Sequence, residues 1–162
     1  MKIRYLLAAT MLVLSAVVGA VGCSTGDDVA NMTIEVSMDD VLKRSTVGRN
    51  VTLVVGDTLK VVLGSNRTTP YRWAAQTKIG DRKILRQTRH EYQRSVSGRA
   101  GAPGAEIWMF TALAAGATTI VTDYSGLVDY DTTPVCTFTA KVKVDAAPLY
   151  AGFGPLARIA RP

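Results

Sequence analysis

Apolar and polar residues alternate along most of the chain after Thr33. The alternation is clearest in "VCTFTAKVKVD", where the residues of one face are Cys136, Phe138, Ala140, Val142 and Val144. The same period of two recurs in "TIEVS", "NVTLVV", "TLKVVL", "YRWAAQ", "EIWMFTAL" and "ATTIVTDY". This period is typical of half-buried strands, which Thr, Val, Ile and the aromatic residues favour. In "EIWMFTAL" apolar residues occupy both faces, so we expect both sides of that strand to be covered.

Helical periodicity is nearly absent. Only "SMDDVLKRS" is compatible with a single helical turn, capped by Ser37. Turns rich in Gly, Pro, Asp and Asn separate the strand-like stretches. Short strands at this spacing predict an all-β fold, an immunoglobulin-like β-sandwich of seven to eight antiparallel strands. The Cys…Trp…Cys pattern of true immunoglobulin domains is missing, so we expect a look-alike without the disulfide.

The first residues have the layout of a secretory signal. Lys2 and Arg4 precede an apolar run, Leu6 to Val21, which is shorter than the ~20 residues of a membrane-spanning helix. The run ends in "AVGC", which resembles the lipobox of bacterial lipoproteins and implies that Cys23 is acylated and becomes the first mature residue. The alternative is an ordinary cleaved signal that happens to end beside a cysteine. We therefore expect an exported, extracytoplasmic chain that Cys23 anchors to the cell membrane or envelope.

These observations predict four segments. Residues 1–22 form a lipoprotein signal peptide, and residues 23–32 comprise the lipidated Cys23 and a polar tether. Residues 33–145 form the β-sandwich domain, and residues 146–162 form an irregular tail that contains several prolines. If Cys23 carries lipid, Cys136 is the one free cysteine, so the core must stabilise the domain without an internal disulfide.

Residues suited to catalysis are few. The single histidine, His90, has no second His or Cys nearby to form a metal site, so we expect a strand residue with a satisfied or solvated ring. No nucleophile elbow, HExxH motif or phosphate-binding loop occurs. Cys136 lies on an apolar strand face, which favours an inert buried thiol. The sequence predicts no enzyme, no metal and no cofactor.

Charge adds little to this picture. The formal net charge is +6, and it falls to +4 when Lys2 and Arg4 leave with the signal peptide. The basic residues cluster between Lys78 and Arg99, where Tyr92 is the one aromatic residue, whereas a nucleic-acid groove requires several. We favour a solvated strand face over contact with anionic head groups or cell-wall polymers, and we expect no nucleic acid.

Several motifs resemble one protein family. "SNRTTPYRW" resembles the "NPTTGY-x-W" signature of the chagasin family, inhibitors of papain-like cysteine peptidases (clan CA, family C1). "GAPGAEIWMFTALAAGATTIVTDY" is similar to that family's glycine-rich loop and the strand pair that follows it, and "TFTAKVKV" is similar to its last strand. The resemblance extends from about Asn50 to Asp145.

The resemblance implies a monomeric inhibitor that blocks the cleft of a papain-like cysteine peptidase with three loops at one end of the sandwich. Thr68 would lie nearest the catalytic centre of the target, and Trp73 and Trp108 would belong to the core. The peptidase-binding residues carried over from the family are Asn66, Arg67, Thr68, Thr69, Pro70 and Tyr71 in the first loop, Gly101, Ala102, Pro103 and Gly104 in the second, and Leu127, Val128 and Tyr130 in the third.

The chain departs from the family pattern at each loop. Arg67 replaces a proline and is expected to add a charge at the tip of the first loop. Pro70 and Pro103 replace glycines, and proline cannot adopt a positive φ if the first of these glycines has one. "YSGLVDYDTTP" lacks the Arg-Pro-Trp or Arg-Pro-Phe motif of the third loop. The alternative hypothesis is therefore a non-inhibitory envelope lipoprotein that binds another surface protein or a glycan.

Overall fold

Nine strands and one short helix make up residues 32–127 and 133–148, the part of the chain that the computed structural model describes. In chain order the elements are β1 (Met32–Val36), α1 (Met38–Lys43), β2 (Thr46–Val54), β3 (Thr58–Ser65), β4 (Tyr71–Trp73), β5 (Lys78–Ile79), β6 (Leu85–Gln93), β7 (Gly104–Ala112), β8 (Gly116–Gly126) and β9 (Cys136–Asp145). The predicted signal peptide, Cys23 and all of the tail beyond residue 148 lie outside the described residues.

The strands form two packed sheets. One sheet has the order β1-β3-β7-β6, and the other has the order β2-β9-β8-β4, with β5 also paired to β8. The prediction of an all-β, immunoglobulin-like sandwich is confirmed, with nine strands in the described residues instead of seven to eight. The pairs β1–β3 and β2–β9 are parallel, so the sheets are mixed. β1 and β3 are parallel because the chain crosses to the other sheet for β2 and then returns, which gives β1 and β3 the same direction.

The core follows the period of two. The predicted inward face of β9 is buried from Cys136 to Val144, and Leu59, Val61 and Leu63 of β3 are buried likewise. Trp73 and Trp108 are both buried and meet edge to face at a centroid distance of 6.5 Å, as predicted for core residues. In the middle of β7 both faces are covered, since every residue from Glu106 to Phe110 is buried.

The helix α1 packs against one end of β3. Ser37 caps it, since its hydroxyl accepts a hydrogen bond from the Asp40 backbone N–H at 3.1 Å. Val41 is buried below it. A Cβ on Gly64 would collide with the backbone of Met38, so only glycine permits this close approach. The helical turn that the sequence suggested is therefore a defined element at the edge of the candidate site.

The sequence pattern missed some strand residues. β2 begins at Thr46, before the predicted start at Asn50. The pattern missed this start because the first residues of the strand, "TVGRN", are mostly polar. β6 lies within the basic stretch and is an edge strand whose side chains are largely exposed, which agrees with the favoured solvated face. Among the described residues no helix is long and apolar enough to cross a membrane.

Candidate functional site

Three loops meet at one end of the sandwich. Loop 1 (residues 66–70) joins β3 to β4, loop 2 (residues 94–103) joins β6 to β7, and loop 3 (residues 127–135) joins β8 to β9. They share an end because β3 pairs antiparallel with β7, β4 with β8, and β8 with β9. The same end carries α1. Sheet pairing thus brings together chain segments that are far apart in sequence.

Asn66 organises loop 1. Its side-chain Oδ1 accepts hydrogen bonds from the Thr68 backbone N–H at 3.0 Å and from the Thr68 hydroxyl at 2.7 Å. Its backbone carbonyl accepts bonds from the Thr69 backbone N–H at 3.2 Å and the Thr69 hydroxyl at 2.8 Å. This is the turn-holding role expected of Asn66. Thr68 is exposed and tied to its neighbour, so the tip of the loop is both presented and stiff.

The base of loop 1 is fastened to the sandwich. The Tyr71 ring packs against Tyr124 at 5.9 Å, as expected of an anchor. The Trp73 Nε1–H donates to the Gly64 carbonyl at 2.9 Å. Arg72, which sequence reasoning did not single out, donates from Nη2 to the Arg67 carbonyl at 2.8 Å and from Nη1 to the Thr69 carbonyl. These bonds hold carbonyl groups that would otherwise bond to water.

Arg67 does not place a free charge at the loop tip, which corrects the expectation from the sequence. Its guanidinium forms a bidentate pair with Glu106, from Nε to Oε1 at 2.9 Å and from Nη2 to Oε2 at 3.1 Å. It also lies 4.0 Å above the Tyr92 ring. The Glu106 side chain is 2% exposed, whereas that of Arg67 is 46% exposed. Arg67 turns back towards β7 because a buried carboxylate there requires a cation.

Pro70 fits the loop without backbone strain. No residue other than glycine has a positive φ within residues 32–127 and 133–148. The loop therefore has a conformation in which position 70 does not need the left-handed region.

Loop 2 depends on two glycines for different reasons. Gly101 has φ +78° and open space around it, so a turn and not a close contact requires glycine there. Its carbonyl accepts a hydrogen bond from Asn66 Nδ2 at 3.2 Å, which ties loop 2 to loop 1. Gly104 begins β7, and a Cβ there would collide with the Gln93 carbonyl of β6. The close approach at Gly104 is thus internal to the sandwich, while Ala102 and Pro103 lie beside Gly101 in the loop.

Loop 3 is described at its two ends. The Leu127 backbone N–H donates to the Pro70 carbonyl at 2.8 Å, so loop 3 leaves the sheet in contact with loop 1. Leu127 itself is 62% exposed. Val128 and Tyr130, the other predicted contacts of this loop, lie outside the described residues.

Groups that could perform chemistry are occupied or inert. His90 stacks on Trp108 at 5.0 Å, and its Nε2 lies 2.9 Å from Glu106 Oε2 but off the line of a directed hydrogen bond. Burial raises the pKa of the Cys136 thiol, which keeps it protonated and unreactive. The described part of the chain holds no cluster of three or more potential metal ligands.

Glu106 is the residue of this site that sequence reasoning missed. Its signal was a single carboxylate in the otherwise apolar run "EIWMF". A lone acidic residue on a strand buried on both faces implies a partner, but the sequence does not name that partner.

The comparisons with known proteins agree with this architecture. The family model described as "Chagasin family peptidase inhibitor I42" matches residues 52–142, more than half of the chain. No curated protein matches the sequence. A cysteine protease inhibitor of Entamoeba histolytica, EhICP2, superposes with a TM-score of 0.51 at 18% identity, over 70% of this chain and 96% of that chain. PbICP-C, solved in complex with falcipain-2, superposes with a TM-score of 0.50 at 16% identity, over 72% of this chain and 99% of that chain. At such identities the two structures support the fold.

Proposed function

The chain belongs to the chagasin family of peptidase inhibitors, and we propose that it inhibits papain-like cysteine peptidases by occluding the active-site cleft with its three loops. Family membership confirms the resemblance predicted from "SNRTTPYRW" and the expectation that the chain is not an enzyme. The target class is supported by the complex of PbICP-C with falcipain-2, although that observation concerns another protein.

The observation that carries the proposal is the network of hydrogen bonds and ion pairing that holds loop 1 in one conformation. Asn66 holds both threonines, Arg72 binds the loop carbonyls, and Glu106 holds Arg67. A loop that enters a cleft without being cut benefits from such preorganisation, because little conformational entropy is lost on docking. Of the exposed residues of this loop, Thr68 would lie nearest the catalytic cysteine of the target peptidase.

Loops 2 and 3 would contact the walls of the cleft. The hydrogen bond from Asn66 to Gly101 and that from Leu127 to Pro70 support a single surface made of the three loops. The third loop lacks a tryptophan, so Leu127, Val128 and Tyr130 are the proposed apolar contacts there. Of these three, Tyr130 belongs to a residue type that commonly dominates interface energies.

The test is a titration of residues 24–162 against papain and a cathepsin L-type peptidase with a fluorogenic substrate. We expect competitive inhibition at nanomolar concentrations. Thr68→Arg should abolish it, because a long charged side chain cannot follow the loop tip into the cleft. Thr52→Arg, at an exposed position of β2 away from the loops, is the matched control and should inhibit normally. No inhibition by the folded domain at micromolar concentration would contradict the proposal and favour the envelope-binding alternative.

Export and lipid anchoring form the second part of the proposal. The charged start, the apolar run and "AVGC" support acylation of Cys23. Expressed in a bacterial host, the full chain should sediment with membranes and carry lipid on its first mature residue by mass spectrometry. Cys23→Ser should leave the membrane fraction. Membrane association that persists in Cys23→Ser would contradict anchoring through this residue.

A further inference from the structure

A basic recess of about 750 Å³ lies beside loops 1 and 2. Arg67 and Thr68 of loop 1 line one side, and Arg99 and Gly101 of loop 2 line another. Arg94, just after the end of β6, also lines it. The recess is therefore continuous with the surface that the proposed function assigns to the peptidase.

The charges around this recess do not cancel. Arg67 is paired with Glu106, which lies outside the lining, and the lining carboxylate Glu91 is paired with Arg89 at 2.9 Å. Arg94 and Arg99 are exposed, and neither has an acidic partner in the described part of the chain. As far as the described residues show, these two arginines are available to an external anion, and the guanidinium group suits a carboxylate well.

The backbone of loop 2 determines where Arg99 lies. Gly98 and Gly101 have φ +62° and +78°, and the Ala102 backbone N–H donates to the Arg99 carbonyl at 3.2 Å. These two glycines and this turn direct the loop around the recess, because residues with a Cβ rarely adopt such angles. The position of Arg99 is therefore a property of the loop's fold and not only of a flexible side chain.

We propose that this recess binds acidic side chains at the rim of the target's cleft, and that Arg94 and Arg99 thereby select negatively charged papain-like peptidases. The inference rests on the proposed function and adds a determinant of target choice to it. Charges at the rim of an interface act chiefly on the association rate and on its dependence on salt. They would accelerate encounter with acidic targets without being required for occlusion of the cleft.

The test compares two double variants. The recess variant carries both Arg94→Gln and Arg99→Gln, and the matched control carries both Arg82→Gln and Lys83→Gln. The control residues are exposed, belong to the same basic stretch and precede β6, so a strand of nine residues, about 30 Å, separates them from the recess. Association rates are measured on residues 24–162 with an acidic and a basic papain-family peptidase, at low and high ionic strength. We expect the recess variant to associate about five- to tenfold more slowly with the acidic enzyme at low salt. High salt should remove the difference, and the control should behave as the unmodified chain.

Other outcomes would overturn the inference. Equal losses on the acidic and the basic peptidase, or equal effects of the two variants, would show that no charge recognition occurs at the recess. Unchanged inhibition together with lost binding to phosphatidylglycerol vesicles would assign the recess to an anionic lipid surface instead. If the unmodified chain inhibits neither enzyme, the proposed function itself fails, which distinguishes that result from failure of the recess alone.

Discussion

Removal of Arg67 should destabilise the domain more than neutralisation of its partner Glu106. In Arg67→Ala the Glu106 carboxylate, which is 2% exposed in the unmodified domain, loses its bidentate cation. In Glu106→Gln the freed guanidinium is already 46% exposed and can bind water. The two substitutions should therefore lower the free energy of unfolding by unequal amounts, because only Arg67 of this ion pair is accessible to solvent.

The magnitude follows from burial. Removing one partner of a fully buried pair costs about 3–5 kcal/mol in free energy of unfolding. Since Arg67 is half exposed, we expect about 2 kcal/mol for Arg67→Ala, including the lost contact with Tyr92, and about 1 kcal/mol or less for Glu106→Gln. The double variant should cost less than the sum of the two, since it leaves no uncompensated carboxylate.

The assay is urea unfolding of residues 24–162 at pH 7, followed by tryptophan fluorescence and circular dichroism. Arg44→Ala is the control, because its pair with Asp40, at 3.6 Å, is largely exposed and should contribute less than about 0.5 kcal/mol. A penalty for Glu106→Gln that exceeds the penalty for Arg67→Ala would refute the reasoning, as would a cost of Arg67→Ala no larger than that of Arg44→Ala.

Three further predictions concern the base of the site, the core and loop 1. Gly64→Ala should destabilise the domain by about 1–3 kcal/mol in urea unfolding, because its Cβ would collide with Met38, whereas Gly48→Ala, which meets nothing, should be near neutral. Cys136 should resist Ellman's reagent until the domain unfolds, and rapid labelling of the native domain would contradict its burial. Because folding raises the pKa of this thiol, the free energy of unfolding should fall as the pH rises above the ordinary thiol pKa of 9.0. Asn66→Asp should keep the acceptor for Thr68 but lose the amide donor to loop 2, so peptidase inhibition should weaken several-fold with little change in stability, and unchanged inhibition would show that this link is dispensable.

Local periodicity accounts for what the sequence determined on its own. Alternation identified most of the strands and the buried faces of β3 and β9, because a strand exposes every second residue to the same side. The cap at Ser37 and the turn at Asn66 were also predictable, since both involve hydrogen bonds between residues two or three positions apart. The motif "SNRTTPYRW" indicated the family for the same reason, as its defining residues are contiguous.

Only the tertiary structure decided how distant segments meet. The parallel pairing of β1 with β3 depends on the chain crossing between sheets, which no local pattern encodes. Arg67 and Glu106 are 39 residues apart, so no local pattern indicated that the charge in loop 1 would turn inward instead of projecting from the tip. The physical reason is the same in both cases: a buried hydrogen-bonding group must find a partner, and the packing of the two sheets determines which partner lies within reach.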